Sequence, residues 1–271
     1  MKKITKFVAF LALVLVLVSC SKKNGNGDSS LDLSLAKVKD KGVFVLGLDD
    51  SFPPMGFRDE DGEIVGFDID VAKEASRRLG VRFEAYPINW DIKELELIGG
   101  NIDCIWNGFT VTPEREEKIL FSKPYLKNRQ VFIVRKDSNI ATLNDLRGKK
   151  IGVQSGSSGE TAFENSSIYQ SSNVIGYPNF LMAILDLSVG GVDAVVIDEI
   201  VADSQLEKAS VASNMTILRD IPLSSEDYAI GFRKNDVALC DAIWSTLEEM
   251  KKDGTLSRIS IEWFGSDLTE V

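Results

Sequence analysis

Short apolar runs take turns with helix-spaced segments along almost the whole chain, and this alternation limits the fold more than any other feature. Val43–Leu48 (VFVLGL) reads as a buried strand. Phe52-Pro53-Pro54 cannot continue it, so the chain loops there. Asp59–Gly62 reads as a turn and Asp68 as a helix N-cap. Phe67, Val71, Ala75 and Leu79 then recur at helical spacing until Gly80. The same order continues with strand 81–86, a helix around Asp91–Ile98, strand Ile102–Trp106, a short helix opened by Thr112-Pro113, and strand Gln130–Arg135. Further on come strand Lys150–Gln154, a helix from Ser158, strand Val174–Tyr177, helix Phe180–Leu187, strand Val192–Ile197 and a helix from Glu199. Strand Tyr228–Arg233 and helices Val237–Lys252 and Leu256–Phe264 close the chain. Strands alternating with helices predict an α/β fold with mixed, mostly parallel sheets flanked by helices. Two runs, from Val43 and from Lys150, start alike with strand, polar loop and helix. This predicts two lobes rather than one long sheet.

The first residues do not belong to that pattern. Lys2, Lys3 and Lys6 precede an apolar run from Phe7 to Val18, and Leu17-Val18-Ser19-Cys20 follows as a small-residue cleavage site. The run has 12 residues, short of the roughly 20 that span a bilayer. The layout is that of a secretory signal peptide over residues 1–19. Its ending resembles a bacterial lipobox, which implies that Cys20 becomes an acylated (palmitate-bearing) first residue. Residues 20–30 are rich in Ser, Asn and Gly and read as a flexible tether. The expected location is outside the cytoplasm, on a cell-membrane lipid anchor facing the periplasm or the cell exterior.

Composition removes several classes of function. Without residues 1–19 the chain has 28 basic and 41 acidic residues, a net charge of −13, which argues against nucleic acid. There is no histidine, so the usual general base and the commonest metal ligand are missing. No metal or other cofactor is expected. Cys104 and Cys240 sit among apolar neighbours without CxxC spacing, and read as two buried free thiols.

Four segments could carry chemistry. Gly152–Gly159 (GVQSGSSG) is a glycine- and serine-rich turn before a helix, able to hold an anion or to serve as an ordinary βα turn. It lacks both the P-loop lysine and the dinucleotide glycine spacing. Arg115, in the first turn of a capped helix, opposes the helix dipole and calls for an anionic partner, either a ligand or a neighbour such as Glu116. Asp198 ends an apolar strand, where α/β sheets present residues to a crevice, or else it caps the next helix. Asp49-Asp50 ends the first strand in the same way. Phe52 and Trp90 are core aromatics or crevice walls. An anion grip, an acidic group and aromatics form the inventory for a zwitterion with a side chain, which is a free amino acid.

These segments recur in order as Asp49-Asp50-Ser51-Phe52-Pro53-Pro54, Gly66-Phe67-Asp68-Ile69-Asp70-Val71-Ala72 and Asn107-Gly108-Phe109-Thr110-Val111-Thr112-Pro113-Glu114-Arg115. They continue in Phe121-Ser122-Lys123-Pro124-Tyr125, Gln154 to Glu160, Asp193 to Asp198, Gly254-Thr255-Leu256 and Trp263-Phe264-Gly265. Over residues 38–265 the chain resembles the amino-acid-binding proteins of ABC importers, the type II periplasmic-binding-protein family. The resemblance implies a two-lobed clamp, with lobe 1 over residues 31–126 plus 227–271, lobe 2 over 127–226, and a two-strand hinge near Tyr125–Asn128 and Leu223–Asp227. It implies that Arg115, with the N–H groups of Thr110 and Ser158, holds a ligand carboxylate. The Gly108 carbonyl, the Thr110 hydroxyl and Asp198 would hold its ammonium. Phe52 and Trp90 would sandwich the side chain, while Asp49, Asn107 and Gln154 would face its far end; Ser157 belongs to the same ligand set. It further implies a monomer that is no enzyme, with separate permease and ATPase subunits as partners. The acidic Asp49 leaves polar neutral and basic amino acids open as ligands. A ligand-sensing module, or a dehydratase or lyase on the same fold using carboxylates such as Glu94 or Glu160, are the alternatives.

Overall fold

The computed structural model describes residues 32–208 and 213–271, and within this range Asp32–Val271 forms one compact unit. The expected signal peptide, Cys20 and the tether lie outside the described residues. Two main sheets organise the unit. The first has the order β5 (Arg82–Pro87), β1 (Val43–Leu48), β6 (Cys104–Ile105), β14 (Gly231–Arg233), β7 (Ile119–Phe121). The second has the order β10 (Asn173–Tyr177), β9 (Lys150–Gln154), β11 (Ala194–Asp198), β8 (Leu126–Arg135), β12 (Met215–Leu218), with β13 (Ser224–Tyr228) also paired to β8. A small antiparallel sheet of β2 (Ser51–Phe52), β3 (Gly56–Arg58) and β4 (Ile64–Val65) follows β1.

The expected parallel character holds through β5-β1-β6 and through β10-β9-β11. β1 and β11 are buried almost end to end, which explains why their sequences are continuous apolar runs rather than alternating ones. Antiparallel pairing takes over where the chain travels between sheets. β8 carries it from the first sheet to the second and β13 brings it back, paired in register from Leu126↔Tyr228 to Gln130↔Ser224. β14 then enters the first sheet antiparallel to both neighbours.

Helices cover both sheets. α1 (Ser34–Lys41), α2 (Phe67–Leu79), α8 (Val237–Lys252) and α9 (Thr255–Phe264) pack together on the first sheet, and α3 (Lys93–Gly99) packs against β1 and β6. α5 (Ser158–Glu164), α6 (Phe180–Val189) and α7 (Glu199–Lys208) cover the second. α2 buries Phe67, Val71 and Ala75 as their spacing predicts, together with Ile69 and Ala72. Among the described residues no helix is long and apolar enough to cross a membrane.

Three expectations need correction. Asp68 is not the cap of α2. The cap is Gly66, whose φ of 141° suits glycine, and Asp68 is fully buried inside the first turn. The strand expected over Ile102–Trp106 is only Cys104–Ile105, flanked by single bonds to β1 from the Asp103 and Trp106 N–H groups. The strand expected over Tyr228–Arg233 is two strands, β13 and β14, since the chain changes sheets between them. Cys104 and Cys240 are both buried and free, as expected.

Candidate functional site

The loop that leaves β6 is built around a buried carboxylate. Gly108 donates its N–H to Asp68 Oδ2 at 2.8 Å, and the Tyr125 hydroxyl donates to the same oxygen at 3.0 Å. Burial pushes the Asp68 carboxyl up to about 7. Gly108 has a φ of 56°, and a Cβ there would lie 2.8 Å from the Phe52 ring and 3.0 Å from the Tyr228 ring. Two aromatic rings therefore rest directly on this backbone.

The next turn sets the cation. Thr112 caps α4 (Pro113–Glu116) by accepting the Arg115 N–H. Arg115 is 7% exposed and does not pair with Glu116. Its guanidinium donates to the Thr110 carbonyl at 2.8 Å and to the Gly156 carbonyl at 3.1 Å, and lies 4.6 Å from the Phe109 ring centre. Its nearest carboxylate is Glu94, at 3.9 Å. Burial lowers the pKa of Arg115, a cost that an anionic guest would offset.

The second sheet supplies the opposing wall. β9 ends at Gln154, whose Nε2 donates to Asp49 Oδ2 at 2.7 Å. Ser157 caps α5 through the Glu160 N–H, and Glu160 Oε2 accepts the Gly156 N–H at 2.7 Å. The glycine-serine turn thus uses one of its own donors internally. Asp198, the last residue of β11, accepts from the Tyr228 hydroxyl at 2.7 Å, Asn128 Nδ2 at 2.7 Å and Gln130 Nε2 at 2.8 Å. Burial, and after it the charge of Glu226, push the Asp198 carboxyl up to about 7. Burial also raises Asp49.

These groups close tightly on a small cavity of about 10 Å³, lined by Phe52, Trp90, Gly108, Thr110, Arg115, Gln154, Ser157, Ser158 and Asp198. Every residue of that lining had been singled out from sequence. Asp49 and Asn107 are not in the lining. Asp49 stands behind Gln154, and Asn107 stands behind Asp49, accepting its N–H at 3.0 Å. Sequence reasoning missed Lys93 and Glu226. Lys93 is 3% exposed and donates to the Trp90 and Gly156 carbonyls. Burial, then the charge of Arg115, lowers it to about 7. Glu226 binds side chains from both walls. Its segment, Ser224 to Asp227, falls in the expected hinge, and only the pairing of β13 with β8 brings the Glu226 side chain inward. Among the described residues no group of His, Cys, Asp and Glu could hold a metal.

Comparison with known proteins places this geometry in context. The profile of the bacterial extracellular solute-binding proteins, family 3, matches residues 44–266. The L-cystine-binding protein TcyJ of Escherichia coli (strain K12) is 32% identical over 236 residues, covering 86% of this chain and 87% of that protein. The L-cystine-binding protein TcyA of Bacillus subtilis (strain 168) is 30% identical, covering 86% of this chain and 85% of that one. A crystal structure of an ABC uptake transporter substrate-binding protein from Streptococcus pneumoniae with bound histidine is 37% identical. It superposes with a TM-score of 0.83 over 90% of this chain and 100% of the other. The match runs from β1 to the end of α9 and takes in every strand and turn that lines the cavity, so the chain belongs to family 3 of the bacterial extracellular solute-binding proteins.

Proposed function

We propose that the protein captures one free L-amino acid with a polar or basic side chain outside the cytoplasm and delivers it to the permease of an ABC importer, whose ATPase is a separate subunit. One observation carries the reading. A buried cation, Arg115, and a buried acid, Asp198, line one cavity from opposite walls. A zwitterion neutralises both at once. The relatives agree in kind, since two bind cystine and one holds histidine.

In this reading Arg115, with the N–H groups of Thr110 and Ser158, holds the α-carboxylate. Asp198, the Thr110 hydroxyl and the Gly108 carbonyl hold the α-ammonium, with Ser157 adjoining them. Phe52 and Trp90 flank the side chain. Asp49, Asn107 and Gln154 form a relay at its far end, where a buried acid disfavours acidic side chains. Lobe 1 comprises 31–126 plus 227–271 and lobe 2 comprises 127–226, hinged where β8 and β13 cross. Because the guest touches both lobes, it stabilises the closed form, and closure completes its shell. Charge-assisted bonds contribute about 1.5–3 kcal/mol each, so a few reach the roughly 8 kcal/mol of micromolar affinity after ordering costs. An acyl chain on Cys20 would tether this monomer to the membrane, and Cys20→Ala should abolish palmitate incorporation.

The test is a thermal-shift screen of the common amino acids and cystine on protein stripped of co-purified ligand. A polar or basic amino acid should raise the melting temperature by binding only the folded state. A flat response to every compound would sink the reading.

A further inference from the structure

The hydroxyls of Thr110 and Ser158 come from opposite walls of the cavity and share one acceptor behind it. Thr110 Oγ1 donates to Glu226 Oε2 at 3.0 Å. Ser158 Oγ lies 3.2 Å from the same oxygen and 3.1 Å from Thr110 Oγ1. By either route the hydroxyl chain ends on Glu226. Gln130 Nε2 at 3.1 Å and Asn128 Nδ2 at 3.4 Å also donate to that oxygen, and both amides donate to Asp198 as well. The second oxygen of Glu226 accepts from Ser224 at 3.0 Å. Glu226 stands on β13, and it does not itself line the cavity.

A hydroxyl has one hydrogen and two lone pairs. With the hydrogens of Thr110 and Ser158 committed to a carboxylate behind them, these two groups offer the cavity only lone pairs. Asp198, next to them, is also an acceptor when ionised. We infer that Glu226 is a positioning residue that fixes the specificity of the site, by holding the Thr110 and Ser158 hydroxyls as acceptors so that this corner selects a protonated amine. The inference deepens the amino-acid reading above and rests on it. A neutral carbonyl or a carboxylate in this corner meets no donor from either hydroxyl. Replacing the carboxylate by an amide removes the obligation, because an amide nitrogen can donate to the hydroxyls and free them to donate into the cavity.

The charged and titratable groups that face Asp198 are Glu226 and Tyr228 on β13 and Arg115 on α4. Neutralising Glu226 removes one cause of the raised Asp198 pKa. The pH at which Asp198 ionises should then fall, a shift that a purely structural role for Glu226 would not produce.

The experiment compares each amino acid with its amine-free analogue by calorimetry: L-cystine with dithiodipropionate, L-histidine with imidazolepropionate, and L-arginine with guanidinovalerate. Wild type should prefer whichever amino acid it binds over the analogue by about 100-fold, the scale of two or more lost charge-assisted bonds. Glu226→Gln should weaken the amino acid by about 10-fold, the scale of one such bond, and the analogue by less than about 2-fold. Its affinity should also begin to fall at a lower pH than that of wild type. Glu226→Asp should recover part of the discrimination. Thr110→Val tests the same relay without altering a charge, and it too should narrow the preference. Equal weakening of both compounds by Glu226→Gln, an unmoved pH profile, or unchanged discrimination in Thr110→Val would overturn the assignment. If wild type binds none of the three amino acids, the reading of the site itself has failed, a result distinct from normal binding with unaltered discrimination.

Discussion

The role proposed for Asp198 predicts that ligand binding and folding respond to pH in opposite directions. Burial and the neighbouring Glu226 push its carboxyl up to about 7 in the folded protein, from an ordinary value of 3.8. A raised acid contributes stability that is fully present below the unfolded pKa and is lost as pH rises through the folded one. Asp68, also held near 7 by burial, acts in the same sense. Lys93, lowered to about 7, adds a dependence of the other sign, and only above that pH. The ligand-free protein should therefore melt at a higher temperature near pH 5.5 than near pH 7, and Asp198→Asn should flatten that slope. Binding an ammonium needs the ionised carboxylate, so affinity should fall as pH drops through about 7. Asp198→Asn should weaken binding by about 2–3 kcal/mol and remove most of this dependence. Calorimetry across the range checks both.

The elements that carry the site differ in how far sequence reveals them. The strand-loop-helix units β1 to α2 and β9 to α5 were legible because buried parallel strands are apolar throughout and their helices show clear spacing. In the loop after β6 the helix start at Thr112-Pro113 marks Arg115, whereas Gly108 and Thr110 are implied only by the family resemblance; all three line the cavity. The short strands β7 and β12 and helix α1 were not foreseen. β13 and β14 ran together because no turn residue marks the point where Ala229-Ile230 passes between sheets. The roles of Asn107 and Glu226 depend on which strand lies behind which, and no local pattern encodes that. Gly108→Ala tests the loop after β6. A Cβ at a φ of 56°, pressed on two rings, should cost about 1–3 kcal/mol by denaturant unfolding. Gly62→Ala, at a φ of 83° with open space around it, should cost only the strain, about 1–2 kcal/mol.

At the scale of the whole molecule, the two walls meet through Gln154 with Asp49, Ser158 with Thr110, and the Gly156 carbonyl with Lys93 and Arg115. Gly156 allows the last of these. A Cβ there would lie 3.0 Å from Asp91 Oδ1 and 3.1 Å from Asp91 Cα. Gly156→Ala should therefore oppose closure and weaken ligand binding by about 1–3 kcal/mol. Small-angle scattering should show wild type contracting when it binds its amino acid, and the variant contracting less at equal ligand concentration. The central claim is that one guest ties both lobes together. Calorimetry on Arg115→Ala and Asp198→Asn side by side tests it most directly, since these residues come from opposite walls. Arg115→Ala should lose about 2–5 kcal/mol of amino-acid affinity and Asp198→Asn about 2–3 kcal/mol, because each leaves a desolvated charge of the guest without its partner. Wild-type affinity in either variant would contradict it.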